Sequence, residues 1–182
     1  EQLERAVKRL TGETVCVSGA SRTDAGVHAL GQSAHFDTES RIPADKFSFA
    51  LNTLLPPDIR VVKSEEVAAD FHSRFSGHGK RYRYLIHAAP HAGALNRRTH
   101  AHVIYPLDVE KMQREALDLV GTHDFAAFAA SGSVVKDTVR TIYRADVYRN
   151  GSEICLIVEG NGFLYNMVRI IAGTLIGVGS GK

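Results

Sequence analysis

The chain has 182 residues, of which 44% are hydrophobic and 23% are charged, with a formal net charge of +2. These values are close to the average of globular domains, so they exclude a disordered protein, a collagen-like repeat and a coiled coil. The uncharged, largely apolar tract 170–181 is interrupted by glycines and is too short to span a bilayer. No signal peptide is recognisable, and we expect a cytoplasmic protein in which Cys16 and Cys155 are buried, reduced thiols.

The first half of the chain is predicted to contain two helices and four strands. Apolar residues at helical spacing predict a helix over 1–10, and Pro43 suits the first turn of a helix that ends near residue 54. Apolar runs predict strands at 14–18, 31–38, 59–67 and 80–87. A loop of small residues, 19–26, follows the first of these strands.

The second half begins with a loop at 88–99 and continues with a helix that Asp108 caps and Gly121 closes. A last helix, 165–178, is predicted to pack on the apolar face of a preceding hairpin. Helices and antiparallel strands in this order predict an α+β fold.

The hairpin is predicted from Asn150-Gly151, the strongest short hairpin signal, between strands 138–149 and 152–160. A two-residue turn at this dipeptide keeps one face apolar. It pairs Val147 with Ile154, Ala145 with Leu156, and Tyr143 with Val158.

Positive charge is concentrated between residues 71 and 107, where there is no acidic residue. This segment carries +6, and the remainder of the chain carries 16 − 20 = −4. Its cations are Arg74, Lys80, Arg81, Arg83, Arg97 and Arg98. Aromatic side chains interleave with these charges, a pattern that favours binding of a nucleic acid whose bases can be stacked upon. The alternative is a solvated basic face without a ligand.

Arg169 is the only charged residue between Glu159 and Lys182. Its helix is apolar nearly all round, which predicts burial. A buried guanidinium is costly unless a carboxylate pairs with it, and the alternative is that the side chain snorkels to solvent. Gly173 and Gly177 follow on the same face and leave it smooth.

A loop rich in glycine and alanine, 18–32, holds one ionisable trio, Arg22, Asp24 and His28. Small residues let a backbone turn sharply and lie close to a ligand. A carboxylate on such a loop is a candidate catalytic group, although Asp24 also suits an Asx turn that merely fixes the loop. The trio of Ser21, Asp24 and His28 has the composition of a hydrolase triad but lacks the nucleophile-elbow pattern.

The motif Arg22-Thr-Asp-Ala-Gly-Val-His-Ala29, followed by Gly31-Gln32, resembles the signature of the TruA family of tRNA pseudouridine synthases. It departs at Ser21, where the family usually has glycine. The family's N-terminal strand motif and C-terminal segment are absent, so we expect a fragment. Further blocks match in family order at Leu51-Asn52, Leu55-Pro56, Asp58-Ile59, 71–75, 80–84, 121–125 and 161–169.

The resemblance implies roles for individual residues. Asp24 corresponds to the catalytic aspartate, Tyr82 to the tyrosine that stacks on the target uracil, and Arg169 to the arginine that pairs with the aspartate. Arg22 corresponds to the residue that helps to displace the flipped nucleotide. We expect further substrate contacts from His28, Gln32, Arg81, Arg97 and Arg98.

The resemblance also implies a reaction and an architecture. The family isomerises uridines 38, 39 and 40 in the anticodon stem-loop of tRNA, without a cofactor or metal, as a homodimer. Its fold is a mixed, mostly antiparallel sheet flanked by helices, in two subdomains around a basic cleft. We expect the first subdomain at 1–99, with the Asp24 loop and the Tyr82 strand, and the second at 100–182, with the hairpin and the Arg169 helix.

Two other functions stay open. A chain without the terminal segments is also suited to be an RNA-binding module that lacks activity. The second alternative is a metal site built on His100-x-His102, which is a weak ligand pattern.

Overall fold

The structure, a computed structural model, describes residues 1–132 and 135–182 and consists of two compact units, 1–77 and 78–182. Each unit has a hydrophobic core of its own. Over the described ranges, we find no helix with the length and apolar character that a membrane span requires.

The core of the first unit lies between two helices, α1 (Gln2–Thr11) and α2 (Phe47–Asn52). The predicted opening helix is confirmed, and Gly12 closes it at φ 81° by donating its N–H to the Lys8 carbonyl. A short 3-10 turn, Ala44–Lys46, leads from Pro43 into α2. The buried side chains are Ala6, Val7, Phe47, Leu51 and Leu55.

Strand pairing in the first unit is much shorter than predicted. The predicted strands at 14–18 and 31–38 are reduced to β1 (Ser18–Gly19) and β2 (Ala34–His35), which pair antiparallel. The strand predicted at 59–67 is wrong, and at Val61 a side chain rather than a neighbouring strand satisfies the backbone. Asn52 donates from Nδ2 to the Val61 carbonyl at 2.9 Å and accepts the Val61 N–H at 2.8 Å.

The prediction of two buried thiols is half wrong. Cys155 is buried in the second unit, but Cys16 is exposed. Side chains alternate along this extended segment, so Val15 packs on the first core while Cys16 faces the other way.

The second unit is built on a five-stranded sheet of β3 (Lys80–Ala88), β4 (His100–Val103), β5 (Gly121–Asp124), β6 (Val139–Asn150) and β7 (Glu153–Gly160). The order of the strands is β4-β3-β7-β6-β5. Neighbouring strands are antiparallel except β3 and β4, which are parallel. The predicted α+β class with a mixed, mostly antiparallel sheet is confirmed.

The strand that carries Tyr82 belongs to the second unit, whereas the expected first subdomain extended to residue 99. The reason is its pairing: β3 hydrogen-bonds to β7 on one side and to β4 on the other. The strand is therefore built into the sheet of the second unit through β7 of the hairpin and through β4.

The hairpin of β6 and β7 forms, but its predicted register is wrong by two residues. The turn residues are Gly151 and Ser152, so Asn150 pairs with Glu153, and Val147 faces Leu156 instead of Ile154. A shift of two keeps every side chain on its own face of the sheet, which explains why the apolar pattern did not reveal the error. A bulge at Tyr143 then interrupts the ladder between Ile142 and Arg144.

Two helices, α3 (Val109–Leu117) and α4 (Met167–Gly179), enclose the core of the second unit with the sheet. The predicted cap is confirmed, since the Asp108 carboxylate accepts the Lys111 N–H at 2.9 Å. Burial of a Leu, Ile or Met side chain stabilises the fold by about 1.5–3 kcal/mol. The largest buried side chains are Ile86, Met112, Ile142, Ile154, Leu156, Met167 and Ile171.

The prediction that α4 is buried all round is wrong. Met167, Ile171 and Leu175 face the core, whereas Arg169 and Gly173 are exposed. Glycine rather than charge occupies much of the exposed face, so the composition of the helix hides its amphipathic character.

Candidate functional site

The loop that carries Asp24 projects from the short ribbon of β1 and β2. Its base is closed by the Ala20 N–H, which donates to the Ser33 carbonyl at 2.9 Å, and by the Gln32 side-chain amide, which donates to the Ser21 carbonyl. Residues 22–33 are all exposed. The loop therefore has a fixed base and a tip that is accessible within its unit.

Asp24 begins a tight turn at this tip. Its backbone carbonyl accepts the Val27 N–H at 3.1 Å, and Gly26 adopts φ 81°, which favours glycine. Within the described part of its unit, the Asp24 carboxylate has no hydrogen bond, so the backbone rather than an Asx turn forms the bend. Arg22 and His28 are exposed on the same loop.

Tyr82 lies on β3, opposite Val158 of β7. Its ring is half-buried and meets the edge of the Phe163 ring, with centroids 4.9 Å apart. Phe163 precedes α4, the helix that presents Arg169. Asp24 and Arg169 belong to different units, and their pairing stays a prediction.

Arg81 is held by a carboxylate on the neighbouring strand. Its Nε lies 2.7 Å from Glu159 Oε1, so the two groups form an ion pair, although their geometry is not that of a hydrogen bond. Arg144 lies 3.7 Å from the same oxygen. Tyr143 lines the adjacent surface depression together with His78 and Lys80. The sequence did not point to Tyr143 or Glu159, because their place beside the basic strand depends on the register of β6 and β7.

Arg97 and Arg98 lie in a turn before β4, in which the His100 N–H donates to the Asn96 carbonyl at 3.0 Å. His100 then anchors the end of this turn through its Nε2, which lies 2.6 Å from Glu153 Oε2. Both arginines are exposed. The turn thus presents two adjacent positive charges, and His100 anchors the strand that follows it.

We expect the Arg97→Ala, Arg98→Ala double variant to bind RNA more weakly and with a flatter dependence on salt. Two lost phosphate contacts predict a change in the slope of log K against log salt of up to about 1.4–1.8. Filter binding of tRNA over a salt series measures it. An unchanged slope would place this turn outside the RNA path.

The two histidines of the weak metal pattern have other partners. Besides the His100 contact with Glu153, His102 Nε2 lies 2.8 Å from the Ala89 carbonyl. In the part of the chain that the structure describes, there is no group of three or more His, Cys, Asp and Glu side chains suited to a metal ion.

Asp124 ends β5, and its carboxylate joins β5 to the start of β6. The Thr138 hydroxyl donates to it at 2.5 Å and the Ala126 N–H at 3.0 Å. These donors, the hydroxyl first, lower the pKa of Asp124 below its ordinary value. The ionised carboxylate therefore stabilises the fold above the unfolded-state pKa, and this contribution is lost as the pH falls through the lower folded-state pKa.

Asp124→Asn is consequently expected to lower the melting temperature at pH 7 and to match the wild type more closely at a pH below the lowered folded-state pKa, where both side chains are uncharged. Thermal melts at the two pH values measure this. A deficit of equal size at both would show that the charge of Asp124 is unimportant.

Comparison with known proteins identifies the family. A family model described as tRNA pseudouridine synthase matches residues 1–76 and 116–182, which include the Asp24 loop and Arg169. A tRNA pseudouridine synthase A from Ruminiclostridium cellulolyticum is 56% identical over 183 residues, covering 100% of this chain and 75% of the relative. Proteins of the same name from Acetivibrio thermocellus and Brevibacillus brevis are 54% and 51% identical over 100% of this chain and 75% and 74% of their own lengths. With this coverage and identity, the chain belongs to the tRNA pseudouridine synthases, a family of isomerases.

Proposed function

We propose that this chain converts uridine to pseudouridine in the anticodon stem-loop of tRNA, at positions 38 to 40, with Asp24 as the essential carboxylate. The observation that carries the proposal is the Asp24 loop, an exposed turn on a closed base. Membership of the family supports the reaction, and the resemblance of 22–32 to the family signature supports the roles of the loop residues.

The reaction is an isomerisation that conserves every atom of the nucleoside except for an exchange of protons with water. The N1–C1′ bond breaks, the uracil turns, and a C5–C1′ bond forms. C5 then loses its proton to water, and N1 gains one. An ionised Asp24 supplies the negative charge that this sequence needs, either as a nucleophile or as a base.

Tyr82 is proposed to receive the uracil after it leaves the base stack. Unstacking costs a few kcal/mol, and stacking on an aromatic ring returns about 1–3 kcal/mol per base. The edge contact with Phe163 fixes the ring plane of Tyr82, so that it is pre-oriented before the base arrives. Arg22 and His28 on the loop, and Arg81, Arg97 and Arg98 on the second unit, are proposed to contact the RNA.

Release of tritium from tRNA labelled with [5-³H]uridine tests this proposal, because the C5 hydrogen leaves only if the new bond forms. We expect release from wild-type anticodon stem-loops and none when uridines 38 to 40 are replaced by cytidine. Binding without release would favour an RNA-binding module. Release that persists after the replacement would contradict the proposed positions.

We also propose that the chain acts as a homodimer, in line with its family resemblance. Light scattering after size-exclusion chromatography is expected to give twice the 19.9 kDa chain mass. A mass that stays at the monomer value at enzymatic concentrations would contradict this part of the proposal.

Arg169→Met is expected to separate activity from stability. The side chain is exposed on α4, so its loss should change the free energy of unfolding by no more than about 0.5 kcal/mol. We propose that its positive charge pairs with the Asp24 carboxylate, as the family resemblance implies. Turnover should therefore collapse. Turnover at the wild-type rate would remove Arg169 from the mechanism.

A further inference from the structure

Ser73 is a buried polar side chain at the base of the Asp24 loop. The residue is 3% exposed. Among the described residues, Ser48, which is 6% exposed, is the other buried polar residue. The Ser73 hydroxyl donates to the Ser18 carbonyl at 2.9 Å. Its oxygen also lies 3.0 Å from His35 Nδ1, and the Ser73 N–H donates to that same nitrogen at 3.2 Å.

These contacts join both ends of the loop. Ser18 is in β1, His35 is in β2, and the two residues are register partners in the ribbon. A ribbon of two residue pairs is too short to be stable alone. Ser73 supplies the missing support, since one residue binds the strand that enters the loop and the strand that leaves it.

The His35 ring is fixed in one orientation by its neighbours. Its centroid lies 6.0 Å from that of Phe71 and 4.8 Å from that of His72, edge-on in both cases. Because the Ser73 N–H can only donate, Nδ1 must accept, which leaves the proton of the neutral ring on Nε2. His35 thus serves as an acceptor in the group of hydrogen bonds that joins Ser18, His35 and Ser73, which we call the clamp.

We propose that Ser73 and His35 are positioning residues that hold the catalytic loop in its productive geometry, an inference that rests on the proposed role of Asp24. Neither residue belongs to the loop tip. They act by fixing Ser18 and each other, so that Asp24 is presented from a rigid base. Misplacement of a reacting group by about 1 Å costs on the order of a hundredfold in rate.

Ser73→Ala tests the clamp, with Ser48→Ala as the matched control. Ser48 is a similarly buried serine of the same unit, and its hydroxyl donates to the nearby Asp45 carbonyl at 3.3 Å. In Ser73→Ala we expect amide hydrogen exchange of 19–33 to rise about tenfold and kcat to fall between about tenfold and a hundredfold. The KM for tRNA should change by less than about threefold, because the groups that contact RNA remain. Ser48→Ala should leave exchange in 19–33 and kcat at their wild-type values.

Substitutions of His35 separate the hydrogen bond from packing. His35→Asn keeps an acceptor near the position of Nδ1, and His35→Leu does not. We expect the asparagine variant to retain more of kcat and of loop protection than the leucine variant. Equal losses in both would overturn the role of His35 as an acceptor.

Unchanged exchange of 19–33 in Ser73→Ala would overturn the clamp. Increased exchange with wild-type kcat would overturn its positioning role. A wild-type chain that releases no tritium would instead contradict the proposed function. The exchange data would still test the clamp in that case. Faster exchange of 19–33 in Ser73→Ala but not in Ser48→Ala would support it, and equal exchange in the two variants would contradict it.

Discussion

Replacing Asp24 with asparagine is expected to abolish uridine isomerisation while changing the affinity for tRNA by no more than a few-fold. Asparagine has nearly the same shape, but it provides neither the negative charge nor the nucleophilic or basic oxygen. The fold should persist, because the Asp24 backbone carbonyl and not its carboxylate accepts the bond that forms the turn. Tritium release and filter binding on the same preparation measure the two effects.

Asp37→Asn is the matched control for this change. Asp37 is an exposed carboxylate of the same unit, two residues beyond the end of the ribbon at His35. Its loss removes the same charge from the surface without touching the loop. Turnover by Asp24→Asn at the level of Asp37→Asn would remove the carboxylate of Asp24 from the mechanism.

The helices and the central sheet of this chain were largely predictable from local signals. Asp108 marks the start of α3 by its capping side chain, and Asn150-Gly151 marks the hairpin. The register was not predictable to better than two residues, because a shift of two preserves the alternation of faces. Only the three-dimensional ladder distinguishes a turn at Gly151-Ser152 from one at Asn150-Gly151.

The first unit shows where local signals fail. The segment 59–67 has an apolar run typical of a strand, yet the amide of Asn52 binds the backbone of Val61 in place of a neighbouring strand. A side chain seven residues before the segment cannot be recognised as its partner from propensity. Cys16 was misassigned for a related reason, since an isolated extended segment buries only one of its faces.

The residues of the candidate site also differ in whether local sequence indicates them. The sequence indicated Asp24 because small residues surround a carboxylate, which is a local signal. It did not indicate Ser73, whose hydroxyl bond to Ser18 and backbone N–H bond to His35 span 55 and 38 residues. Supporting contacts of this kind leave no spacing pattern, so only the structure reveals them.

Tyr82→Phe and Tyr82→Ala are expected to divide the role of this residue into a stacking part and a chemical part. Phenylalanine keeps the ring and its edge contact with Phe163, so tRNA binding should stay close to that of the wild type. Turnover should fall sharply, because we propose that the phenolic hydroxyl relays the C5 proton to water. Single-turnover tritium release separates the chemical step from binding.

Tyr82→Ala should lose the stacking part as well, which corresponds to a further loss of about 1–3 kcal/mol for the flipped base. Tyr84→Phe is the matched control, because Tyr84 lies two residues along on the same face of β3 and packs against the core. It should turn over at the wild-type rate. If Tyr82→Phe were equally active, the hydroxyl would have no chemical role, and the Tyr82→Ala deficit would measure stacking alone. Equal activity of Tyr82→Phe and Tyr82→Ala, both well below the wild type, would instead assign the whole effect to the hydroxyl and exclude stacking.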